Sequence, residues 1–173
     1  WMHGGESSAG FLADLWTYDA TGSGWQQVQS AAAGSPGVYG SDAPPQRGDT
    51  LRPGGRHRQT VWLDQRDPNT VWMMGGEGHD VHGQNGWLDD LWRLHLPDAS
   101  SRDSAPEWEW VGGSAIAAGY APPLQWGPTG RASVAVLNGG TDSAGRVALL
   151  GGYRIMGRSS EVLNDLWQLD TAP

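Results

Sequence analysis

The chain contains no cysteine, no lysine and a single phenylalanine in 173 residues. Without cysteine there are no disulfides and no thiolate metal ligands, and redox compartment cannot be read. All 11 basic residues are arginine, which reads as codon bias rather than as a site. The formal net charge of −8 argues against a nucleic-acid or anionic-membrane surface. No apolar run approaches the length of a membrane span, so no membrane insertion by this segment is expected. No signal peptide is evident. The chain opens on Trp1 and reads as a piece of a longer protein, so this last absence leaves secretion open. What is abundant is glycine (27), proline (11) and tryptophan (11). That profile suits short strands joined by tight turns, with Trp as the main packing residue.

Internal repetition organises the rest. Asp-Leu-Trp occurs at Asp14-Leu15-Trp16, Asp90-Leu91-Trp92 and Asp165-Leu166-Trp167, at spacings of 76 and 75. Gly pairs precede each triplet at Gly4-Gly5, Gly75-Gly76 and Gly151-Gly152, spaced 71 and 76. A Pro-x-Gly-Arg mark ending in Arg56 recurs 75 residues later, ending in Arg131. Each copy reads as a four-stranded antiparallel unit. In the middle copy the strands are expected near 57–63, 71–74, 91–96 and 108–111, with a turn at 64–69. The alternation Glu107-Trp108-Glu109-Trp110 puts both rings on one face and both carboxylates on the other. The third copy supplies 132–137, 147–150 and 166–169, and the first supplies 25–28 as its fourth strand. The stretch Leu88–Leu96 also passes for a short helix, but its Trp-rich setting between loops favours a strand. Between copies, Tyr39 to Gln46 and Tyr120 to Gln125 share Tyr, Ala-Pro-Pro and Gln in the same order. A repeated Pro-Pro segment predicts a stiff path held against the body.

These marks resemble the kelch repeat: Met73-Met74-Gly75-Gly76, then Leu88-Asp89-Asp90-Leu91-Trp92 with Trp108, and again Leu150-Gly151-Gly152 with Leu163-Asn164-Asp165-Leu166-Trp167. The likeness covers essentially the whole chain and is nearest to the long, Trp-rich repeats of the galactose oxidase central-domain type. It implies an all-β, kelch-type β-propeller segment of about two and a half four-stranded blades. The implied division is one propeller segment over 1–173, with a partial blade 1–28, a full blade 53–112, a partial blade 128–173, and long connectors 29–52 and 113–127. The period near 75 exceeds the usual kelch length of about 50, so the loops are enlarged. The family's Tyr after the Gly pair survives only as Tyr18, with Leu94 and Leu169 in its place. A closed propeller needs at least about four blades, so further blades are expected from the same polypeptide or a partner chain.

The recurring residues Gly4, Gly5, Asp14, Leu15, Trp16, Arg56, Gly75, Gly76, Asp90, Leu91, Trp92, Arg131, Gly151, Gly152, Asp165, Leu166 and Trp167 read as architecture. The Trp rings are expected to pack between units, each aromatic pair adding ~0.5–1.5 kcal/mol beyond burial. The Asp is expected to accept amide hydrogen bonds, and the Arg to bind one unit to the next. Residues found in one copy only are the better functional candidates. His79, Asp80 and His82 have the donor types of a divalent-metal site, but a short loop with two His is more often solvated surface. No metal or cofactor is therefore expected. Asp80, Asp89 and Asp90 lack the Asp-x-Asp-x-Asp-Gly spacing of a calcium loop. Arg154 and Arg158 form a small basic cluster suited to an anion or an acidic partner. Antiparallel order puts the long connections 29–53, 77–87, 112–128 and 153–162 on one side, the default binding side.

The leading expectation is a non-catalytic binding or scaffolding module that docks a protein or glycan partner on that side, with an extracellular or cell-surface setting favoured. No Gly-x-Ser-x-Gly elbow and no phosphate loop is present. One rival is part of a galactose-oxidase-like copper oxidoreductase. That resemblance implies Tyr and His ligands and a Cys cross-linked to Tyr. With no Cys and only Tyr18, Tyr39, Tyr120 and Tyr153, such a site would lie outside this segment. The other rival is a structural repeat of an extracellular or ciliary assembly.

Overall fold

The computed structural model describes residues 1–41, 43–98, 104–117, 130–137, 140–156 and 159–171. Twelve strands make up three antiparallel sheets, with no helix among the described residues. The N-terminal sheet is β1 (Met2–Ser7), β2 (Gly10–Asp19) and β3 (Gly24–Gln29), paired in that order. The central sheet takes β4 (Gln46–Gly48), β5 (Arg56–His57), β6 (Thr60–Leu63), β7 (Thr70–His79), β8 (Asn85–His95) and β9 (Glu107–Gly112). Its order is β4-β9-β8-β7-β5, with β6 also on β7. The C-terminal sheet is β10 (Ala135–Leu137), β11 (Arg146–Met156) and β12 (Ser159–Asp170). Among the described residues no helix is long and apolar enough to cross a membrane.

The Gly pairs sit where the sequence places them, and each is a β-bulge. The register slips between His3 and Gly5, between Met74 and Gly76, and between Leu150 and Gly152. All six glycines have positive φ, from +63° at Gly75 to +123° at Gly5. Only glycine takes that region without steric cost, and a bulge with Gly in the left-handed conformation bends and twists its strand. The bulge does not end the strand. Both strands continue, so the expected loop 77–87 is mostly hairpin, with a turn confined to 80–84. The expected loop 153–162 is likewise strand on both sides of 157–158. Leu88 to His95 is strand, as its Trp-rich setting favours, and Leu96 lies just past the strand end.

Two further departures concern the middle copy. Its first strand breaks into β5 and β6 at Arg58, which has φ +56°. Ser133, 75 residues on, has φ +55°, so the break is part of the repeat. The connector 29–52 contributes β4, an edge strand on β9. That connector is held against the body as expected: Val38 bridges Arg52, and the Tyr39 hydroxyl donates to Asp90 at 2.6 Å. Pro44-Pro45 is a cis peptide bond.

The central sheet is covered on both faces. Successive residues of a strand point to opposite faces, and Met73 and Met74 divide accordingly, as do Trp92 and Leu91. Met73, Trp92, Leu94, Trp108 and Trp110 pack with Leu15 of the N-terminal sheet and Leu51 of the connector. Trp62, Trp72, Met74 and Leu91 pack with Val134, Val147 and Leu149 from the third copy. Glycine also permits the close approach of neighbours. A Cβ on Gly4 would lie 2.5 Å from the Arg56 carbonyl oxygen, and one on Gly75 would lie 2.7 Å from that of Arg131. Gly4 and Gly75 thus each receive the Arg carbonyl of the following copy. At the second of these junctions the Gly76 amide donates to that carbonyl at 2.9 Å.

The turn 64–69 closes the opposite side. Asp64 accepts from Arg66 Nε at 3.1 Å, Trp72 Nε1 at 3.1 Å and Thr141 Oγ1 at 3.1 Å. Burial alone would raise its pKa, but the Arg66, Trp72 and Thr141 hydrogen bonds prevail and hold it well below the carboxylate range. Arg66 reaches on to the Thr171 carbonyl at 3.2 Å, tying the central turn to the C-terminal sheet.

Candidate functional site

The recurring Asp is a hub. Its partners are side chains rather than the backbone amides expected from the sequence. In every copy it accepts the indole N–H of the Trp two residues later: Trp16 to Asp14 at 2.7 Å, Trp92 to Asp90 at 2.6 Å, Trp167 to Asp165 at 2.6 Å. Arg56 forms a two-pronged pair with Asp90, both contacts at 2.7 Å, and donates to the Gly75 carbonyl at 3.0 Å. Arg131 repeats this with Asp165 at 2.6 Å and the Gly151 carbonyl at 3.0 Å. These Arg side-chain bonds to Asp and to the Gly carbonyl lie within a copy, while the Arg backbone carbonyls approach the first glycine of the copy before. Arg56 and Asp90 are fully buried, so their bidentate geometry and the extra bonds are needed to offset desolvation. His3 lies beside this pair with its ring edge on Trp108 at 5.1 Å. Burial first, and then the Arg56 charge, push its pKa down to about 3, so it is neutral at ordinary pH.

Beyond the bulges the three hairpins project to one side and are linked laterally. The residue after each Gly pair is Glu6, Glu77 or Tyr153. His57 lies between the first two, with Nδ1 3.2 Å from Glu6 and Nε2 3.2 Å from Glu77. The His57 ring rests on Phe11 at 4.6 Å. Arg58 lies 3.5 Å from Glu77, donates to the Tyr153 hydroxyl, and sits 5.7 Å above the Tyr153 ring. The edge of Trp87 meets the same ring at 5.2 Å. A continuous polar and aromatic ridge, Glu6–His57–Glu77–Arg58–Tyr153, thus crosses all three copies. Of these side chains, Glu6 and Arg58 are the most open to solvent.

The positions singled out from the sequence separate around this ridge. Asp80 is buried, and its carboxylate accepts three backbone amides: His82 and Gln84 at 2.8 Å each, and Ala117 at 3.1 Å. It fastens the 80–84 turn to the connector and presents nothing outward. His79 Nδ1 is 3.1 Å from the Gly83 carbonyl, with its ring 5.7 Å from Phe11. His82 is exposed at the turn. No group of three or more His, Cys, Asp or Glu that could hold a metal occurs among the described residues. Arg154 pairs with Glu161 across its hairpin at 2.8 Å, and Arg158 lies outside the described residues. So do Asp42 and the second connector from 118 to 129, including Tyr120.

Glu6, His57, Arg58, Glu77 and Tyr153 were not singled out from the sequence. Their signal was positional: three follow a Gly pair and two follow Arg56. Asp89 was named from the sequence only among carboxylates without calcium-loop spacing, and its buried environment was hidden. Burial first, and then the neighbouring Asp90 charge, raise its pKa to about 6, against backbone hydrogen bonds that include one from the Ser114 amide at 3.0 Å. Compared with known proteins, the chain matches no family model and no curated sequence.

Proposed function

We propose that this chain is a segment of a kelch-type β-propeller that recognises a protein or glycan partner through the hairpin ridge, without catalysis. The observation that carries the reading is the ridge itself. Three hairpins project to one side, start from equivalent glycine bulges, and are joined by side-chain links from Glu6 to Tyr153. A surface built on strands and braced laterally loses little entropy on binding. Its mixed charges and aromatic edges suit a polar, hydrogen-bonding partner. The propeller part rests on three stacked copies of one unit with a common glycine, Arg and Asp-Leu-Trp joint. Under it, further units from the same polypeptide or a partner chain cover the outer sheets.

The test is a binding screen of the chain against glycan arrays and candidate extracellular protein domains. It is repeated with Glu6→Gln combined with Arg58→Ala, both at exposed ridge positions. The reading expects binding that weakens by about tenfold or more in the variant, with melting temperature nearly unchanged. Binding indifferent to these positions would place the interface elsewhere. Redox-active copper in the complete protein would contradict the non-catalytic part.

A further inference from the structure

We propose that residues 113–117 form a strap over the β7–β8 hairpin, latched by Asp89, that is closed in acid and loosens as the pH rises toward neutrality. The strap leaves the end of β9 and lies against the hairpin through three hydrogen bonds. The Ser114 amide donates to Asp89 at 3.0 Å, the Val81 amide to the Ala115 carbonyl at 2.9 Å, and the Ala117 amide to Asp80 at 3.1 Å. Both ends are seated closely on the hairpin. A Cβ on Gly113 would lie 2.4 Å from the Asp89 carbonyl oxygen, and one on Gly86 would lie 2.9 Å from the Ala117 Cβ.

The two carboxylates hold the strap differently. Asp80 also accepts the His82 and Gln84 amides of its own turn, whereas the only strap group that reaches Asp89 is the Ser114 amide. Among the described residues no cation pairs with Asp89. The charges around it are engaged elsewhere. Asp90, next to it on β8, is held by Arg56 and the Tyr39 hydroxyl. Glu77 on β7 faces His57 and Arg58, and Arg131 of the next copy pairs with Asp165. The connector sequence from 112 to 130 contains no Asp, Glu, His or Arg, so it brings no counter-charge.

An ionised Asp89 under the closed strap therefore faces desolvation and the Asp90 charge. These raise its pKa from 3.8 to about 6, burial being the larger cause. Lifting the strap lets water reach the carboxylate and returns it to ordinary acidity. The closed form thus keeps a proton that the lifted form gives up. Closure is firmest below about pH 4, weakens between about pH 4 and 6, and levels off above that. The device belongs to one copy: the same position holds Ala13 in the first and Asn164 in the third, and neither ionises. The strap borders the 80–84 turn, but its titration does not depend on what the hairpin ridge binds.

The test is residue-resolved amide exchange at about pH 4.5 and about pH 7, corrected for the intrinsic rates. The amides of Val81, Ser114 and Ala117 should be less protected than Gly76 at both pH values, which marks a local opening. Their protection should fall by about tenfold or more between the lower and the higher pH. Asp89→Asn should abolish that fall. Asp89→Ala, the residue the first copy carries there, replaces it if the Asn variant loses its near-ultraviolet circular dichroism. Protection of the three amides that does not change with pH overturns the proposal, as does a fall that persists in the variant. Exchange of the three amides only together with Gly76, at equal protection, also overturns it, because the strap then has no opening of its own.

Discussion

Trp92 and Trp167 occupy the same place in the repeat, and both donate an indole N–H to the Asp two residues before them. Their burial differs: Trp92 is fully buried between two sheets, and Trp167 is 37 % exposed. Trp92→Ala should cost roughly 3–5 kcal/mol, and Trp167→Ala well under half of that. Urea unfolding of the two variants decides it, and equal losses would contradict the stacking order. Asp89 gives a pH prediction. Its folded pKa of about 6 lies above the ordinary 3.8 because burial disfavours the charge. The folded protein therefore holds a proton that the unfolded chain releases, and stability falls as pH rises from about 4 to 6. Asp89→Asn should match the parent at pH 4 and exceed it at pH 7.5, by no more than about 3 kcal/mol. Melting curves at the two pH values check this; a variant less stable at pH 7.5 would refute it. Neither environment was legible in the sequence. The triplets are identical, and only the neighbouring copies make their surroundings different.

The Gly-pair bulge is the element on which the hairpins turn, and its position was legible because glycine at a fixed period has few other uses. The length of the hairpins was not. Glu77, His79 and Asn85 have the polar composition of a loop, yet backbone pairing across β7 and β8 continues to His79 and Asn85. Cross-strand hydrogen bonds do not depend on side-chain polarity, so composition misplaces the strand ends. The lateral links were hidden for a related reason: His57 and Glu77 come together through strand register, not sequence spacing. The split of the first strand at Arg58 and Ser133 had no residue-type signature at all. A contrast between glycines tests the close approach. Gly75→Ala would press a Cβ within 2.7 Å of the Arg131 carbonyl oxygen, whereas Gly83, at φ +73°, has open space around it. Gly83→Ala should cost only about 1–2 kcal/mol for left-handed backbone. Gly75→Ala should cost more, because the neighbouring copy must also move. Thermal unfolding that ranks the two the other way would contradict the seating of one copy on the next.

At the scale of the whole molecule, three sheets are held by two apolar junctions, by the Asp64–Arg66–Thr171 links on one side and by the hairpin ridge on the other. The repeat made the number of units legible from the sequence. It did not reveal that the middle unit is covered on both faces while each outer unit keeps an open one, since that depends on which side of each strand meets a neighbour. The binding ridge depends on one claim: each following copy seats its Arg carbonyl on the glycine bulge of the copy before it. Native-state amide exchange at Gly76 tests this most directly, because that N–H donates to Arg131 of the next copy. The account predicts protection by a factor on the order of 10³ or more, rising and falling with the amides of β7 and β8. Exchange of Gly76 at the unfolded-chain rate while those strands stay protected would contradict it.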